Sequence, residues 1–526
     1  MIMRTFSTVS ARLAQARFAS RVSLALVGAF FYALSFGSSS AFAQVVTTFA
    51  GSGSAGLTDN TGIMAQFSSP AGMAMDGAGN IYLVDRANNC IRFITPAGVV
   101  TTLAGNGTAD FANGTGTAAR FAQPNAITIN AAGTDLFIAD AGNHRIRQMT
   151  SGGDVTTLSG QGTGGFSNGP VGAATRFNFP HGAAVRADGS VYIADFLNHR
   201  IRLVNNTGAA STFAGSGTAG LVNGTGGAAD FNLPIAVALD GAGNVYVADA
   251  GNHCIRRITP GGVVTTFAGN GTSGYADGTG TAARFNYPSA LALDAAGNVY
   301  VADQNNHRIR KITPAGVVTT LAGSGIASYF DATGTAAHFN QPAGIAVNAA
   351  GTVFVSDQAN NRIRAISPPP PPTVTSFAPT TAASGATITI TGTNFTGAGA
   401  VTFGGALAAS YTVDSPTQIT AVVGAGGATG AVEVTAPGGA GSLAGFTFIA
   451  PPVITSFTPV DAGTATVVTI TGTNFTGVTA VSFGGTPAAG FTVVNATTIT
   501  ATVAAGSGSG VVAVTGPGGT AHLAGF

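Results

Sequence analysis

The segment ADQNNHRIRKI (302–312) decides the fold, because altered copies of it recur along the chain. The other five copies are VDRANNCIRFI (84–94), ADAGNHRIRQM (139–149), ADFLNHRIRLV (194–204), ADAGNHCIRRI (248–258) and SDQANNRIRAI (356–366). Their aspartates are spaced by 55, 55, 54, 54 and 54 residues. A fixed period of this length indicates a repeat architecture in which each copy is one supersecondary unit.

Four short β-like segments surround each aspartate. In the fifth unit they are SALALD (289–294), NVYVAD (298–303), HRIRKI (307–312) and VVTTLAG (317–323), with turn residues between them. This pattern predicts a four-stranded antiparallel meander. Six such sheets arranged radially make a β-propeller, which we place at residues 44–367 of an all-β chain.

The repeated pattern G-x-A-V-D, N-x-Y-V-A-D, N-x-R-I-R-K-I resembles the NHL repeat family. The resemblance covers residues 45–366 and recurs six times. It implies a six-bladed propeller, a fold that serves as a binding platform and, in some families, as an enzyme.

The register of the repeats predicts how the ring closes. VVTTFAG (45–51) reads as a fourth strand with no first three strands before it, and the last unit ends at Ile366 after its third strand. We therefore expect residues 45–51 to complete the last sheet and to cover two exposed sheet edges.

The repeated charged residues are expected to have a structural role, because a residue that recurs in every blade is expected to stabilise each blade. Each aspartate ends the second strand and can accept hydrogen bonds from the turn amides that follow, and the second arginine of R-I-R can pair with a carboxylate. The residues assigned to this structural role are Asp85, Asp140, Asp195, Asp249, Asp303, Asp357, Arg92, Arg147, Arg202, Arg256, Arg310 and Arg364. The turn histidines are assigned the same role, namely His144, His199, His253 and His307.

Two further repeated features have structural interpretations. A phenylalanine recurs in the long loop before each unit, and we expect it to fill the gap between adjacent blades; these residues are Phe67, Phe121, Phe177, Phe231, Phe285 and Phe339. Cys90 and Cys254 occupy the same position in the first and fourth units, which lie opposite each other in a six-fold ring. A disulfide needs Cα atoms within about 7 Å, so we expect two free, buried thiols.

Function is expected where the blades differ. The residue after each loop proline begins the strand that lines the axis, and these residues are Ala71, Asn125, His181, Ile235, Ser289 and Ala343. They ring one mouth of the central channel, and Asn125, His181 and Ser289 are the candidate binding residues. We assign no catalytic residue, because the chain contains no H-E-x-x-H motif and no phosphate loop.

A metal-dependent enzyme is the alternative. The secreted peptide-amidating lyases are similar six-bladed propellers that place zinc-binding histidines in Pro-His contexts, and this chain matches them at Pro180-His181 alone. A catalytic zinc takes three protein ligands. Lactonase-type propellers hold calcium with several carboxylates around the channel. We predict no cofactor, with a zinc or calcium ion in the channel as the alternative.

The tail predicts two more domains. Residues 368–372 form a proline spacer. VTSFAP (374–379) with ITITGTNFTGAGAVTFGG (388–405), and then ITSFTP (454–459) with VTITGTNFTGVTAVSFGG (468–485), resemble the IPT/TIG family. The resemblance implies immunoglobulin-like sandwiches at 373–449 and 450–526. The second stops where its final strand should form, and we expect an incomplete reading frame there.

The first 43 residues predict a secretory signal peptide. Four arginines precede an apolar stretch of about 15 residues, which is shorter than the roughly 20 that a membrane span needs, and Ala41-Phe42-Ala43 is a suitable cleavage site. No later segment is long and apolar enough to span a membrane. We therefore expect a secreted, periplasmic or cell-surface protein.

Charge excludes one class of partner. Only 8% of residues are charged, the net charge is +1 and Lys311 is the single lysine, so nucleic acid is not an expected ligand. We expect an exported, non-enzymatic interaction protein. Its propeller presents a ligand face to a glycan, a peptide or a surface protein, and its tail modules act as spacers or accessory binding modules. The alternative is a metal-dependent lyase or lactonase acting in the channel.

Overall fold

The computed structural model describes residues 44–170 and 175–526, so the expected signal peptide lies outside the described residues. The described part consists of β-sheets joined by turns and three-residue 3-10 turns. Within it, no helix has the length and apolar composition to cross a bilayer.

Six antiparallel sheets form the propeller, and each is the predicted meander. Blades 1 to 3 comprise Pro70–Met75, Ile81–Asp85, Cys90–Ile94 and Val99–Ala104; Pro124–Ile129, Asp135–Asp140, Arg145–Thr150 and Asp154–Ser159; and Pro180–Val185, Val191–Asp195, Arg200–Val204 and Ala210–Ala214. Blades 4 to 6 comprise Pro234–Leu239, Val245–Asp249, Cys254–Ile258 and Val263–Ala268; Pro288–Leu293, Val299–Asp303, Arg308–Ile312 and Val317–Ala322; and Pro342–Val347, Val353–Asp357, Arg362–Ser367 and Val45–Ala50.

The ring closes as predicted. Val45–Ala50 pairs antiparallel with Arg362–Ser367, so the start of the described chain supplies the fourth strand of blade 6. The first strand of each blade also contacts the first strands of both neighbours, which closes the ring around the axis. The expected closure by residues 45–51 is therefore confirmed.

The long loops have more structure than the sequence indicated. In five blades the loop adds a fifth, two-residue edge strand next to the fourth strand; these are Asn60–Thr61, Gly114–Thr115, Gly224–Thr225, Gly278–Thr279 and Ala332–Thr333. A 3-10 turn follows each of them. The loop phenylalanines are fully buried, and Phe67 packs between Phe354 and Ile363 of blade 6 and Met73 and Ile81 of blade 1. The prediction that they fill the gaps between blades is confirmed.

Each repeated aspartate and arginine form a buried ion pair. The six Arg Nη1 to Asp Oδ2 distances are 2.7–2.9 Å, and both side chains of every pair are excluded from solvent. In blade 1, the Asn88 amide also donates to Asp85 Oδ2 at 2.8 Å. Asp85 Oδ1 accepts a hydrogen bond from the backbone N–H of Ser68, 17 residues earlier in the long loop. The main-chain donor is thus a loop amide rather than the expected amide of the following turn.

The first arginine of R-I-R joins neighbouring blades in the four units that have it. Each guanidinium lies 3.8–4.0 Å from the centre of a loop ring; the pairs are Arg145–Phe111, Arg200–Phe166, Arg308–Tyr275 and Arg362–Tyr329. The Arg145 Nη2 donates to the Gln161 carbonyl of the next loop at 3.1 Å. In blades 1 and 4 the position is Cys90 or Cys254, and the matching loop residue is leucine. Both thiols are fully buried and unbonded, and burial raises the pKa of each.

The tail forms two β-sandwiches with separate cores. The first comprises Thr373–Ala378, Thr387–Thr393, Gln418–Val422 and Ser410–Ser415 facing Thr381–Ala383, Gly439–Ile449, Gly430–Ala436, Ala400–Phe403 and Ala406–Leu407. The second comprises Val453–Thr458, Val467–Thr473, Thr498–Thr502 and Gly490–Asn495 facing Thr486–Pro487, Ala480–Phe483, Val511–Gly516 and Gly519–Ala524. The predicted fold class, a six-bladed propeller with two immunoglobulin-like domains, is confirmed.

Removing the closing strand tests the closure. Deleting residues 44–51 leaves the blade 6 edge unpaired and exposes apolar surface such as that around Val46, so we expect the propeller's calorimetric unfolding transition to disappear. The sandwiches have their own cores, and their transition serves as the internal reference. As point variants, Val46→Asp should lower the propeller's melting temperature while the exposed Thr47→Asp should not. An unchanged propeller transition in the deletion variant would contradict the closure.

Candidate functional site

The six residues after the loop prolines surround one mouth of the channel. All six line a single cavity of about 460 Å³, which also receives residues from the 3-10 turns that follow the buried aspartates. The full lining is Ala71, Arg86, Asn125, Phe179, His181, Phe196, Leu197, Ile235, Tyr287, Ser289, Gln304, Ala343 and Gln358. A volume of this size suits a small ligand or one group of a larger ligand. We call this cavity the mouth.

The fold brings three sets of residues to the mouth. Each first strand begins beside the end of the second strand, as in the pairing of Pro180 with Asp195. The residue after the proline and the residue after the aspartate therefore reach the same rim. The residue before the proline joins them in two blades, as Phe179 and Tyr287.

His181 is buried in the wall of the mouth, with 8% of its surface exposed. Its ring stacks on Phe196, with 4.3 Å between ring centres and 5° between planes. Burial, together with the nearby charge of Arg86, lowers the pKa of His181 to about 3, so the imidazole is neutral at physiological pH. Its Nδ1 is buried and has no hydrogen-bond partner among the described residues.

The other two candidates differ in their availability. The Ser289 hydroxyl donates to the Pro342 carbonyl of the next blade at 2.9 Å, which makes it a link between blades 5 and 6. Asn125 is partly exposed in the mouth wall, and its side-chain amide has no partner in the described part of the chain. Asn125 is therefore free to bond a ligand, whereas Ser289 already has an acceptor.

Seven lining residues were not predicted from the sequence, and four of them share one position in the repeat, namely Arg86, Phe196, Gln304 and Gln358. Each directly follows a repeated aspartate, at a position occupied by alanine in the other two blades. The sequence signal was that this position differs between blades although the aspartate before it is the same in all six. The repeat pattern alone does not show that this position faces the cavity, because the residue lies in the turn that follows the buried aspartate.

The turn histidines hold the mouth residues in place. His144 Nδ1 accepts a hydrogen bond from the Phe179 N–H at 3.2 Å, and His253 Nδ1 accepts one from the Tyr287 N–H at 3.1 Å. His199 and His307 make the same bond to the next blade, and asparagine replaces histidine in it at Asn89 and Asn361. The residues held have φ of 45° to 57°, a left-handed conformation that is uncommon for side chains as large as Phe or Tyr.

Metal-binding side chains are not clustered in the described part of the chain. In residues 44–170 and 175–526, no three His, Cys, Asp or Glu side chains lie close enough together to share a metal ion. His181 is the one such residue in the mouth lining.

Fold and mouth together define a six-bladed β-propeller with a cavity built from non-identical residues, joined to two immunoglobulin-like domains. The NHL repeat family model matches residues 177–202, 231–258, 285–312 and 339–366, and the IPT/TIG domain model matches 372–449 and 452–524. The chain therefore contains NHL repeats and two IPT/TIG domains, as the motifs predicted.

Two relatives and one solved structure place these domains among known proteins. The chain is 29% identical over 284 residues to the Arabidopsis thaliana protein SUPPRESSOR OF QUENCHING 1, chloroplastic, covering 51% of this chain and 27% of that protein. It is 27% identical over 337 residues to NHL repeat-containing protein 2 of Gallus gallus, covering 46% of each. The chain thus spans less than half the length of either relative. A structural genomics protein of unknown function from Bacteroides thetaiotaomicron has the same fold, with a TM-score of 0.50, 21% identity and coverage of 62% of this chain and 76% of that one.

Acid should weaken the histidine links between blades. Burial lowers the pKa of His144, His199, His253 and His307, so the folded state favours neutral imidazoles that can accept through Nδ1. A folded pKa below the unfolded value of about 6.5 gives stability that is complete above pH ~6.5 and is lost as pH falls. Burial raises the pKa of the six repeated aspartates, which act in the opposite direction, so the prediction concerns the histidine contribution alone: between pH 7.5 and pH 5, the four histidines should lower the melting temperature of the wild type.

Asparagine provides a matched control, since Asn89 and Asn361 already make this bond. The variant with all four turn histidines changed to asparagine should fold and should lose less stability than the wild type over the same pH range. Any remaining slope includes His181, which the variant keeps. Equal slopes in the two proteins would show that the histidine links do not titrate with folding.

Proposed function

We propose that this chain is an exported, non-enzymatic binding protein whose ligand enters the mouth. The observation that supports this proposal most strongly is the contrast between the repeated scaffold positions and the varied mouth positions. The buried Asp–Arg pairs are repeated in all six blades, whereas the residues next to them in the mouth differ from blade to blade. A scaffold needs only the repeated residues, and a ring of different residues suits recognition of an asymmetric ligand.

The remaining parts of the proposal rest on the sequence. The first 43 residues direct export to the periplasm, the cell surface or the medium. The two IPT/TIG domains hold the propeller away from the surface or add contacts of their own. The partner is a glycan, a peptide or a surface protein, since a chain with one lysine and a net charge of +1 lacks the basic surface that nucleic acid requires.

Filling the mouth tests this function. We expect glycan and peptide arrays probed with the wild type to give ligands whose binding falls by at least about tenfold in Asn125→Trp, because an indole occupies the cavity. Thr265→Trp places the same side chain on an exposed outer strand and should bind like the wild type. Unfolding curves for both variants confirm that they fold. Blank arrays, or array binding that Asn125→Trp leaves unchanged, would overturn the proposal.

The same arrays address the enzymatic alternative. A lyase or lactonase would consume its ligand when zinc or calcium is added, so array ligands are incubated with protein and metal and examined by mass spectrometry. Intact ligand supports a binding protein. Turnover that is lost in His181→Ala would replace it with the metal-dependent enzyme.

A further inference from the structure

Among the described residues that line the mouth, the guanidinium of Arg86 is the one charged side chain, and none is an aspartate or a glutamate. The other two titratable groups in the lining are neutral at physiological pH: burial and Arg86 hold the pKa of His181 at about 3, and burial raises the pKa of the Tyr287 hydroxyl. The mouth therefore has a net charge of about +1.

Within the described part of the chain, Arg86 lacks the anionic partner that the repeated arginines have. Each of the six repeated arginines is paired with a buried aspartate. Arg86 is partly buried, and among the described residues it forms no ion pair and donates no hydrogen bond. Burial lowers its pKa, which means that the charged form has lost solvation without gaining an anion. An anionic ligand would supply the missing partner.

The charge acts on residues from other blades. Arg86 belongs to blade 1, yet its charge lowers the pKa of His181 in blade 3 and opposes the burial effect on Tyr287 at the start of blade 5. The guanidinium influences groups on two other blades around the mouth. A ligand that enters the cavity is therefore exposed to the positive electrostatic potential of Arg86.

The rest of the lining favours a ring. The stacked pair of His181 and Phe196, together with Phe179 and Tyr287, gives the wall flat apolar surfaces. Neutral polar groups accompany them: Asn125 is unpartnered, and Gln304 Nε2 donates to Gln358 Oε1 at a long 3.3 Å. These groups can bond hydroxyl or amide substituents of a ring without adding charge.

We propose that the mouth binds a small carboxylic acid that carries one negative charge and a ring, with its carboxylate on Arg86 and its ring against the aromatic wall. This inference deepens the proposed function, on which it rests. A guanidinium presents two parallel N–H donors that match one carboxylate. A phosphate dianion would leave a charge unmatched, because the mouth offers no second cation.

Matched acids and amides test the proposal directly. The probes are phenylacetate with phenylacetamide and glucuronate with glucuronamide, titrated by calorimetry into the full mature chain. A charge-assisted hydrogen-bonded pair contributes about 1.5–3 kcal/mol, so at least one acid should bind the wild type about tenfold more tightly than its amide. Arg86→Gln should bind the acid and the amide equally. Arg284→Gln, which removes an exposed arginine outside the mouth, should keep the preference.

Stability separates a binding role from a structural one. Because Arg86 has no partner in the free protein, Arg86→Gln should melt at the same temperature as the wild type or higher, whereas loss of a structural arginine would lower it. Saturating acid should raise the melting temperature of the wild type and leave that of Arg86→Gln unchanged.

Several outcomes would overturn the inference, and they differ from failure of the proposed function. Equal binding of acid and amide, a preference that survives in Arg86→Gln, or no binding of any of the four probes would each exclude a carboxylate site at Arg86. If arrays still gave neutral ligands that Asn125→Trp excludes, the mouth would remain the binding site and the charge assignment alone would fall. If no acid bound at Arg86 and the arrays also gave no ligand that Asn125→Trp excludes, the proposed function would fall as well.

Discussion

The buried ion pair between the second-strand aspartate and the third-strand arginine is the constraint on which each blade depends. In blade 1, Asp85 accepts from Arg92, from the Asn88 amide and from the N–H of Ser68 in the preceding loop. Arg92 in turn donates to the loop carbonyls of Gln66 and Thr58. One pair therefore ties together two strands, a turn and a loop. Taking two charges out of water is costly, and these additional hydrogen bonds are what offset the cost.

This arrangement also determines where the protein can vary. The backbone on either side of the pair is fixed, so the residues after the aspartate and after the proline emerge at one rim in every blade. Their side chains take no part in the pair. Replacing them therefore changes the mouth and leaves the blade intact, which explains how one repeated scaffold supports a ring of chemically varied side chains.

Much of the fold could be predicted from the sequence because its determinants recur. The aspartate spacing indicated six blades, and the lone fourth-strand segment at 45–51 indicated the closure that the pairing with Arg362–Ser367 shows. The donor to Asp85 could not be predicted, since Ser68 lies 17 residues away along a loop whose path the repeat pattern does not specify. The exchange of arginine and an aromatic ring for cysteine and leucine in blades 1 and 4 was visible in the sequence. It acquires a meaning only when Arg145 is seen to stack on Phe111.

The candidate site was predicted only in part. The rule that residues after the loop prolines ring the mouth placed all six positions correctly. It could not show that the Ser289 hydroxyl donates a hydrogen bond to the Pro342 carbonyl, because that bond joins different blades. Nor could it single out Arg86, whose significance lies in having no partner. Pairing is a property of three-dimensional contacts, and the sequence offers many acidic residues that might have supplied it.

The adjacent residues Asp85 and Arg86 allow a direct test of the claim that scaffold and mouth are separate. The measurement is the free energy of unfolding, together with the binding of the acid and its amide, for Asp85→Ala and Arg86→Gln. Removing Asp85 leaves Arg92 buried without its anion and should cost about 3–5 kcal/mol, while the folded fraction still prefers acid to amide. Arg86→Gln should keep the full stability and lose the preference. If Arg86→Gln were as destabilised as Asp85→Ala, or kept its preference for the acid, scaffold and mouth would not be separate, and the account would be contradicted.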